Sequence, residues 1–246
     1  MRILFLSGWL PYPPDNGSKV RILNLLRGLS NQHQVTLLAF RDPSDQLQGV
    51  EQLRSFCADV QVLVRRPFFP RSLRALLGFF SPVPRSLFAT FSPEMKQAIR
   101  REVGRQSYSL IIASQITMAS YWSSFDGTPS IFEEVELGAI QENSVGWRRF
   151  RRQLTWAKTR SYLAGLLPHF RACTVVSEKE RELLRQAVPY YRNVVIVPNC
   201  VDLPSYTGIT AERQKKRLIF PGALTYSANY DGILFFLKEV FPLILQ

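Results

Sequence analysis

The order of signals at the amino end is the feature that most constrains the fold of this chain. A short apolar run from Arg2 to Leu6 is typical of a strand that is buried on both faces. Pro11, Pro13 and Pro14 then exclude helix and central strand from the loop that follows. Apolar residues return with helical spacing from Val20 to Leu29. The chain therefore opens as strand, proline-rich loop and helix.

The same alternation continues along the chain. Short β-branched and aliphatic runs are separated by segments with helical periodicity, and the connections are short. Further strands are predicted at residues 35–40, 60–64, 110–114, 130–136, 170–176 and 194–197, and helices at 45–56, 92–106, 117–124, 147–167 and 178–186. This βαβ rhythm predicts an α/β fold, a Rossmann-like parallel sheet with helices on both faces.

The sequence also predicts the first residues of two helices and the buried face of a third. Ser92 stands before Pro93, which is a favourable N-cap followed by proline at the first helical position. Ser177 is followed by Glu180 in the spacing of a capping box. In the helix at 147–167 an apolar stripe is predicted to face the domain, formed by Trp147, Phe150, Leu154, Ala157 and Ser161.

The carboxyl end predicts a second domain. Residues 217–222 repeat the opening pattern of a strand running into a glycine turn, and an apolar helix is predicted at 232–240. One strand and one helix cannot bury their own apolar faces. We therefore expect an amino-terminal domain at 1–205, a linker at 206–216, and at 217–246 the incomplete start of a second Rossmann-like domain in a truncated chain.

The loop before the first predicted helix is a candidate anion site. Asn16, Gly17 and Ser18 lie where a helix N-terminus presents unpaired N–H groups, and Gly17 has no Cβ to keep a ligand away from the backbone. The alternative is a plain loop whose glycine serves a turn. The spacing matches neither the dinucleotide-binding fingerprint nor the Walker P-loop.

Polar side chains are also predicted at strand ends, where parallel sheets bind ligands. Ser114 and Gln115 follow one predicted strand, and Glu133, Glu134 and Glu136 end the next. Carboxylates there could bind sugar hydroxyls or exchange protons, and they could equally be solvated charges. Strand alternation places Glu134 and Glu136 on one face and Glu133 on the other.

The formal net charge of +12 implies acidic partners such as nucleic acid, anionic lipid or phosphorylated substrates. Arg65–Arg85 interleaves arginine with phenylalanine and leucine, and Trp147–Arg160 contains cations and no acid. Each segment fits an anionic membrane surface, although a helix or loop packed on the domain with solvated cations is the favoured interpretation of both. Nucleic acid is disfavoured because the sequence contains no recognisable nucleic-acid module.

The cysteine and histidine content and the length of the apolar runs indicate where the protein is located and whether it binds a metal. The three cysteines, Cys57, Cys173 and Cys200, show no metal-binding spacing, and their odd number argues against a disulfide framework. With only two histidines, a histidine-rich metal site is not expected, and we expect no metal or cofactor. No apolar run approaches the ~18 residues that span a bilayer. We expect a cytoplasmic protein, peripheral at the inner face of the plasma membrane if it contacts lipid.

Taken together, these segments resemble glycosyltransferase family 4, and most closely the bacterial sugar transferases associated with exopolysaccharide export. The resemblance covers nearly all of the chain, and it rests on the order and spacing of its landmarks. The landmarks are Arg2-Ile-Leu-Phe-Leu with Tyr12-Pro-Pro-Asp-Asn-Gly17-Ser-Lys-Val-Arg21; Val176-Ser-Glu178; Val197-Pro-Asn-Cys-Val-Asp202; and Phe220-Pro-Gly222 with Asn229-Tyr-Asp231.

The resemblance implies two Rossmann-like domains of the GT-B type, facing each other across a cleft, and transfer of a sugar with retained anomeric configuration and usually no metal. It implies that Gly17, with Asn16 and Ser18, approaches the donor diphosphate. Glu134 and Glu136 match acidic positions on the acceptor side, beside Ser114 and Gln115. It places Ser177 and Asn199 near the cleft.

Two departures from the family pattern limit what can be transferred to this chain. Cys200 stands where the family usually has glycine, and no histidine ends the fifth strand. The donor-binding residues of the second domain would lie beyond residue 246. The first hypothesis is therefore a glycosyltransferase of cell-surface polysaccharide synthesis, using a nucleotide-sugar donor and a glycan or lipid-linked acceptor. The alternative is a non-catalytic remnant that binds an acceptor or a membrane.

Overall fold

A computed structural model describes residues 1–43, 48–137, 147–208, 217–222, 224 and 227–245. It divides the chain into two compact units, Met1–Asp202 and Leu203–Gln246. The first unit contains all seven strands of one sheet. Part of the predicted linker at 206–216 lies outside the described residues, so the predicted domain boundaries stay a prediction.

The first unit alternates strands and helices from end to end. Its strands are β1 (Arg2–Ser7), β2 (Gln34–Arg41), β3 (Asp59–Val64), β4 (Leu110–Ser114), β5 (Ser130–Glu133), β6 (Ala172–Val175) and β7 (Val194–Ile196). Its α-helices are α1 (Gly17–Ser30), α2 (Gln48–Arg54), α3 (Leu73–Leu77), α4 (Arg85–Thr90), α5 (Pro93–Arg105), α6 (Gln115–Ala119), α7 (Trp147–Leu166) and α8 (Glu178–Ala187). Short 3₁₀ turns lie at Trp122–Ser124 and Leu167–His169.

The strands pair in the order β3-β2-β1-β4-β5-β6-β7, and every pair is parallel. The predicted α/β fold with a Rossmann-like parallel sheet is confirmed. From β1 the chain builds outward to β2 and β3, and it then returns to add β4 on the other side of β1. The carboxyl ends of β1 and β4 thus form the switch point at which such sheets bind ligands.

Alternating residues of β1 supply two separate cores, one on each face of the sheet. Ile3 and Phe5 belong to the cluster that includes Ile22 of α1 and Leu53 of α2. The intervening Leu4 belongs to the other cluster, in which residues of α5, α7 and α8 pack, such as Ile99, Leu163 and Leu184. Helices therefore cover both faces, which explains why β1 is an uninterrupted apolar run.

The strand predicted at 130–136 is shorter than predicted. β5 ends at Glu133 because Glu134 has a φ of 60°, which turns the chain out of the extended conformation. The predicted alternation of Glu134 and Glu136 on one face of a strand is therefore wrong. The 117–124 helix is likewise divided into α6 and the 3₁₀ turn at Trp122–Ser124.

Both predicted helix caps are present. Ser92 Oγ accepts the Met95 N–H at 3.1 Å, and Ser177 Oγ accepts the Glu180 N–H at 3.3 Å. The Glu180 carboxylate also reaches beyond its own helix. It accepts the N–H of Leu137 at 2.7 Å, and so ties α8 to the segment that follows β5.

The predicted apolar stripe on α7 is wrong where the structure describes its side chains. Leu154 is 56% exposed, and Ala157 and Ser161 are also exposed. The helix buries Thr159 and Leu163 instead. The side chains of residues 147–152, including Trp147 and Phe150, lie outside the described set.

The second unit is helical where it is described. A helix at Ser227–Phe235 (α9) continues through a π-helical turn at Phe236–Val240 into a short helix at Phe241–Ile244 (α10). The strand predicted at 217–222 is wrong, because these residues have no regular structure and Arg217–Pro221 are exposed. A lone extended segment needs a partner strand for its N–H and C=O groups, and no described residue of this unit supplies one.

No helix in the described part of the chain combines the length and hydropathy needed to cross a bilayer.

The α5 cap gives a direct test of local stability. Ser92→Ala should lower the free energy of unfolding by about 1–2 kcal/mol, because the buried Met95 N–H loses its acceptor. Ser107→Ala is the matched control, since Ser107 is exposed just beyond the same helix. Urea unfolding followed by circular dichroism measures both. Equal midpoints for wild type and Ser92→Ala would show that the cap contributes nothing.

Candidate functional site

Two residues meet at the switch point of the sheet. Gly8 follows β1, and Gln115 follows β4. A Cβ on Gly8 would lie 3.0 Å from the amide oxygen of Gln115, so the glycine makes room for that side chain. The backbone of Gln115 has a φ of 67°, in the left-handed region that costs a non-glycine residue roughly 1–2 kcal/mol. The Gln115 amide is thereby held at the carboxyl edge of the two central strands.

A buried arginine lies next to this point. Arg21 of α1 is 3% exposed, and its Nε donates to Glu133 Oε1 at 2.7 Å. Its Nη1 donates to the carbonyl oxygen of Val197 at 2.8 Å and to Asn199 Oδ1 at 3.0 Å. One guanidinium thus joins α1, the end of β5 and the segment that follows β7. Within the described residues, its Nη2 has no hydrogen-bond partner.

The second oxygen of Glu133 is satisfied from β4. Ser114 Oγ donates to Glu133 Oε2 at 2.6 Å, and both residues are buried. An ionised carboxylate in the interior requires a counter-charge and hydrogen bonds, and Arg21 and Ser114 supply both. Glu133 is therefore committed to holding the edge of the sheet together.

Glu134, the next residue, is placed quite differently. Its left-handed backbone directs the chain away from β5, and its N–H donates to Thr174 Oγ1 on β6 at 2.9 Å. Its Oε2 accepts a hydrogen bond from Nε2 of Gln115 at 3.4 Å. Its Oε1 lies 3.9 Å from Nε of Arg21. Two strained residues, Gln115 and Glu134, therefore face each other, and strain of this kind is concentrated at functional sites.

The surroundings of Glu134 favour its protonated form. Burial raises its pKa to about 7, the negative charge of Glu133 adds to the increase, and the Arg21 guanidinium opposes it. Burial also raises the pKa of Glu136, and the charge of Glu180 contributes to that increase. A carboxyl group with a pKa near neutrality can both donate and accept a proton at physiological pH.

These carboxyls open onto a cavity of about 210 Å³. Gln115, Glu134 and Glu136 line it together with Thr117 and Thr159. The apolar part of its wall comes from Ile116, Phe132, Val135 and Leu163. Carboxylate, amide and hydroxyl groups around a small cavity with an apolar wall are the donors and acceptors that suit a polyhydroxylated ligand such as a sugar.

The residues predicted from sequence fall into separate groups. Gln115, Glu134 and Glu136 come together at the cavity, whereas Ser114 supports Glu133 beneath it. Asn199 joins the Arg21 centre through its side-chain oxygen.

Ser177, predicted to lie near the cleft, has its hydroxyl committed to capping α8. The capping spacing that defined this helix start therefore already accounts for the side chain.

The predicted anion loop lies at the start of α1. Asn16 is the N-cap, and its Oδ1 accepts the Lys19 N–H at 3.0 Å. Gly17 is the first helical residue, and apart from its chain neighbours and its own helix backbone no described atom lies within 4 Å of the position its Cβ would take. The Lys19 ammonium pairs with Asp15 at 3.2 Å. Binding of a diphosphate by Asn16, Gly17 and Ser18 stays a prediction.

Arg21 was not identified from the sequence, although a signal existed. Three carboxylates within four residues at a buried strand end require a cation, and Arg21 is a charged residue inside the apolar half of α1. The pair spans 112 positions of sequence, so it could be assigned only once the strand order was known. The described residues contain no group of three or more histidine, cysteine, aspartate or glutamate residues placed to hold a metal ion.

Comparison with known families gives a match over most of the chain. The model of glycosyltransferase family 4 matches residues 15–204, which is more than half of the chain. No curated protein matches the chain in sequence.

Several solved structures are similar at low identity. UGT2 from Phytolacca americana, complexed with UDP-2fluoro-glucose and pterostilbene, is 10% identical with a TM-score of 0.48, and the match covers 80% of this chain and 54% of that one. TcCGT1 in complex with UDP is 10% identical with a TM-score of 0.44, over 89% and 53% of the two chains. A putative UDP-N-acetylglucosamine 2-epimerase from Listeria monocytogenes is 9% identical with a TM-score of 0.41, over 78% and 43%. The chain thus aligns with about half the length of these structures.

Removing the central cation should destabilise the protein. Arg21→Met leaves Glu133 buried without its counter-charge, so the free energy of unfolding should fall by about 3–5 kcal/mol in urea titrations. Arg27→Met on the same helix is the control, because Arg27 is half exposed and lies 4.0 Å from Asp202; its cost should stay below about 1 kcal/mol. Adding Glu133→Gln to Arg21→Met should recover part of the loss. Equal costs for the two arginines would contradict the buried pair.

The raised pKa of Glu134 predicts a stability that depends on pH. The folded state holds the Glu134 proton more tightly than the unfolded chain does, so its contribution is complete below pH 4.5. It is lost as pH rises toward about 7. Glu134→Gln removes this loss, and at pH 8 the variant should be more stable than wild type by up to about 3 kcal/mol.

Urea midpoints measured from pH 5 to pH 8 test this expectation. Glu182→Gln, at an exposed position on α8, should follow the wild-type curve. A Glu134→Gln curve that runs parallel to wild type over the whole range would show that Glu134 titrates normally.

Proposed function

The chain belongs to glycosyltransferase family 4, and from this premise we propose that it transfers a sugar from a nucleotide-sugar donor to a glycan or lipid-linked acceptor. One observation supports the site of the acceptor: Glu134 and Glu136 line a cavity at the carboxyl edge of β4 and β5, next to the switch point of the sheet. Ligands bind at this place in open parallel sheets.

Glu134 has the properties that an acceptor hydroxyl requires. Its carboxylate accepts a hydrogen bond from the hydroxyl, and its pKa of about 7 lets it take up a proton near neutral pH. Gln115 fixes one of its oxygens, and the left-handed backbone fixes its direction. Glu136 and Thr159 supply further partners for sugar hydroxyls at the same cavity. Acceptor binding would thus depend on a preorganised set of groups.

The donor side of the proposal rests on the α1 N-terminus. The first N–H groups of a helix have no partner within the helix, and they carry the positive end of its dipole. Asn16, Gly17 and Ser18 place these groups in an open position, as Gly17 shows by the empty space around it. A leaving diphosphate bound there would be stabilised as its charge develops.

The finer expectations follow from the family resemblance. We propose that the anomeric configuration is retained, that no metal or other cofactor takes part, and that the product belongs to cell-surface polysaccharide synthesis. We place the protein in the cytoplasm, at the inner face of the plasma membrane. The resemblance to exopolysaccharide-associated sugar transferases supports all four.

Sugar transfer by the 246-residue chain, and by any longer product of the same gene, tests the proposal. Release of nucleoside diphosphate is measured with UDP-glucose, UDP-N-acetylglucosamine, UDP-galactose and GDP-mannose, with a polyprenyl-diphosphate-linked sugar as acceptor. Glu134→Gln and Glu136→Gln should each lower turnover, Glu134→Gln by about 100-fold or more, because the acceptor hydroxyl loses its proton acceptor. NMR of the product reports the anomeric configuration.

A measurement of nucleotide-sugar binding distinguishes the residues of the acceptor cavity from those of the donor loop. Both glutamine variants should bind the nucleotide-sugar as wild type does, because neither residue belongs to the α1 loop. Glu182→Gln should retain full turnover. The non-catalytic alternative replaces this proposal if none of the nucleotide-sugars is bound or turned over by the 246-residue chain or by any longer product of the gene.

A further inference from the structure

An apolar surface is exposed around α3. The side chains of Phe69, Leu73, Leu76, Leu77, Phe79 and Phe80 all lie in solvent. Phe80 is 92% exposed and Phe69 is 63% exposed, values that are unusual for phenylalanine. We refer to residues 68–80 as the α3 surface. Contiguous exposed apolar side chains of this kind mark contact sites for proteins or membranes.

Side chains of two neighbouring helices bind the backbone of the α3 surface. Arg85 of α4 donates from Nε to the carbonyl oxygen of Ala75 at 2.7 Å and from Nη2 to that of Pro70. Its guanidinium also lies 4.2 Å from the centre of the Phe79 ring. From α7, Lys158 Nζ donates to the carbonyl oxygen of Gly78 at 2.8 Å. The backbone that carries the exposed aromatic side chains is therefore tied to α4 and α7 by hydrogen bonds.

The charges at this surface are of one sign. No aspartate or glutamate occurs between Asp59 and Glu94, whereas five arginines do. Arg65 pairs with Asp42 and Arg66 with Glu94.

The other exposed arginines remain available for a partner. Arg71 and Arg74 are exposed, and neither forms an ion pair with a described residue. They lie in and beside α3, among the exposed phenylalanines. A partner that covers this surface must therefore combine apolar contact with negative charge.

We propose that the α3 surface docks the protein on an anionic lipid bilayer. Phe69, Phe79 and Phe80 enter the interface between headgroups and acyl chains, while Arg71 and Arg74 pair with lipid phosphates. A single-stranded nucleic acid could stack its bases on the phenylalanines, but it would leave the aliphatic side chains of Leu73, Leu76 and Leu77 in water, whereas acyl chains cover both kinds of side chain. The proposal needs no nucleotide-sugar and no turnover, so it stands or falls independently of sugar transfer.

The second basic segment considered from sequence, Trp147–Arg160, is described only in part. The side chains of its residues 147–152 lie outside the described set, and Lys158 is occupied with Gly78. The test therefore concentrates on the α3 surface.

Vesicle flotation measures the docking. Wild type should partition onto vesicles that contain phosphatidylglycerol and phosphatidylcholine in equal amounts at 0.15 M salt, and much less onto phosphatidylcholine alone. Phe69→Ser/Phe80→Ser should lower the partition coefficient about tenfold or more, because two exposed rings no longer enter the interface. Arg71→Gln/Arg74→Gln should lower it by a similar factor. Both variants should unfold at the wild-type temperature, since these side chains are exposed.

Matched variants separate local docking from the overall positive charge. Arg100→Gln/Arg101→Gln on α5 removes the same two charges from an exposed site elsewhere and should reduce binding less than about twofold. Phe235→Ser replaces an exposed phenylalanine of the second unit and should have no effect. Equal losses for the two arginine pairs, or wild-type binding by Phe69→Ser/Phe80→Ser, would overturn the proposal.

Two further outcomes would overturn it in favour of other ligands. Inhibition of vesicle binding by millimolar inorganic phosphate would show that the arginines bind free anions rather than a lipid surface. A lipid-free dimer in sedimentation velocity that Phe69→Ser/Phe80→Ser dissociates would assign the α3 surface to a second copy of the chain.

Discussion

The arrangement of the candidate site depends on one buried ion pair. Arg21 and Glu133 are both almost fully buried, and their charges could not remain in the interior without each other. The pair also determines which residues become neighbours, because the guanidinium binds Val197 and Asn199 while the carboxylate binds Ser114. Helix α1 and the ends of β4, β5 and β7 therefore meet at one point, although their sequences are far apart.

This pair also explains why two adjacent glutamates differ. Glu133 is the last residue of β5, and it receives full hydrogen bonds from Arg21 and Ser114. Glu134 is largely buried beside it, and among the described residues its carboxylate accepts a 3.4 Å hydrogen bond from Gln115, so the loss of water and the charge of Glu133 both disfavour its ionised form. The first carboxylate stabilises the sheet edge, and the second is left with a pKa near neutrality at the cavity.

The strands and the helix starts of the first unit could be predicted from the sequence because the signals that define them are local. A buried strand reads as an apolar run, and a helix start reads as Ser92-Pro93 or Ser177, so strands and caps were located within a few residues. The backbone turn at Glu134 was not predictable, since a positive φ at glutamate carries no sequence signal. The pairing with Arg21 was not predictable either, because it depends on which strands are neighbours. The same limit applies to 217–222, where the described residues of the second unit place no strand beside an apolar run.

The strain at Gln115 and Glu134 supports the assignment of function to this edge. Left-handed backbone costs each residue about 1–2 kcal/mol, and a smooth continuation of either strand would avoid that cost. The surrounding structure holds both in place through Gly8, which leaves space for the Gln115 amide, and Thr174, which binds the Glu134 N–H. Packing alone gives no reason for two such residues to face each other over a cavity. A preorganised acceptor site does, because it gains from fixing the amide and the carboxyl before the sugar arrives.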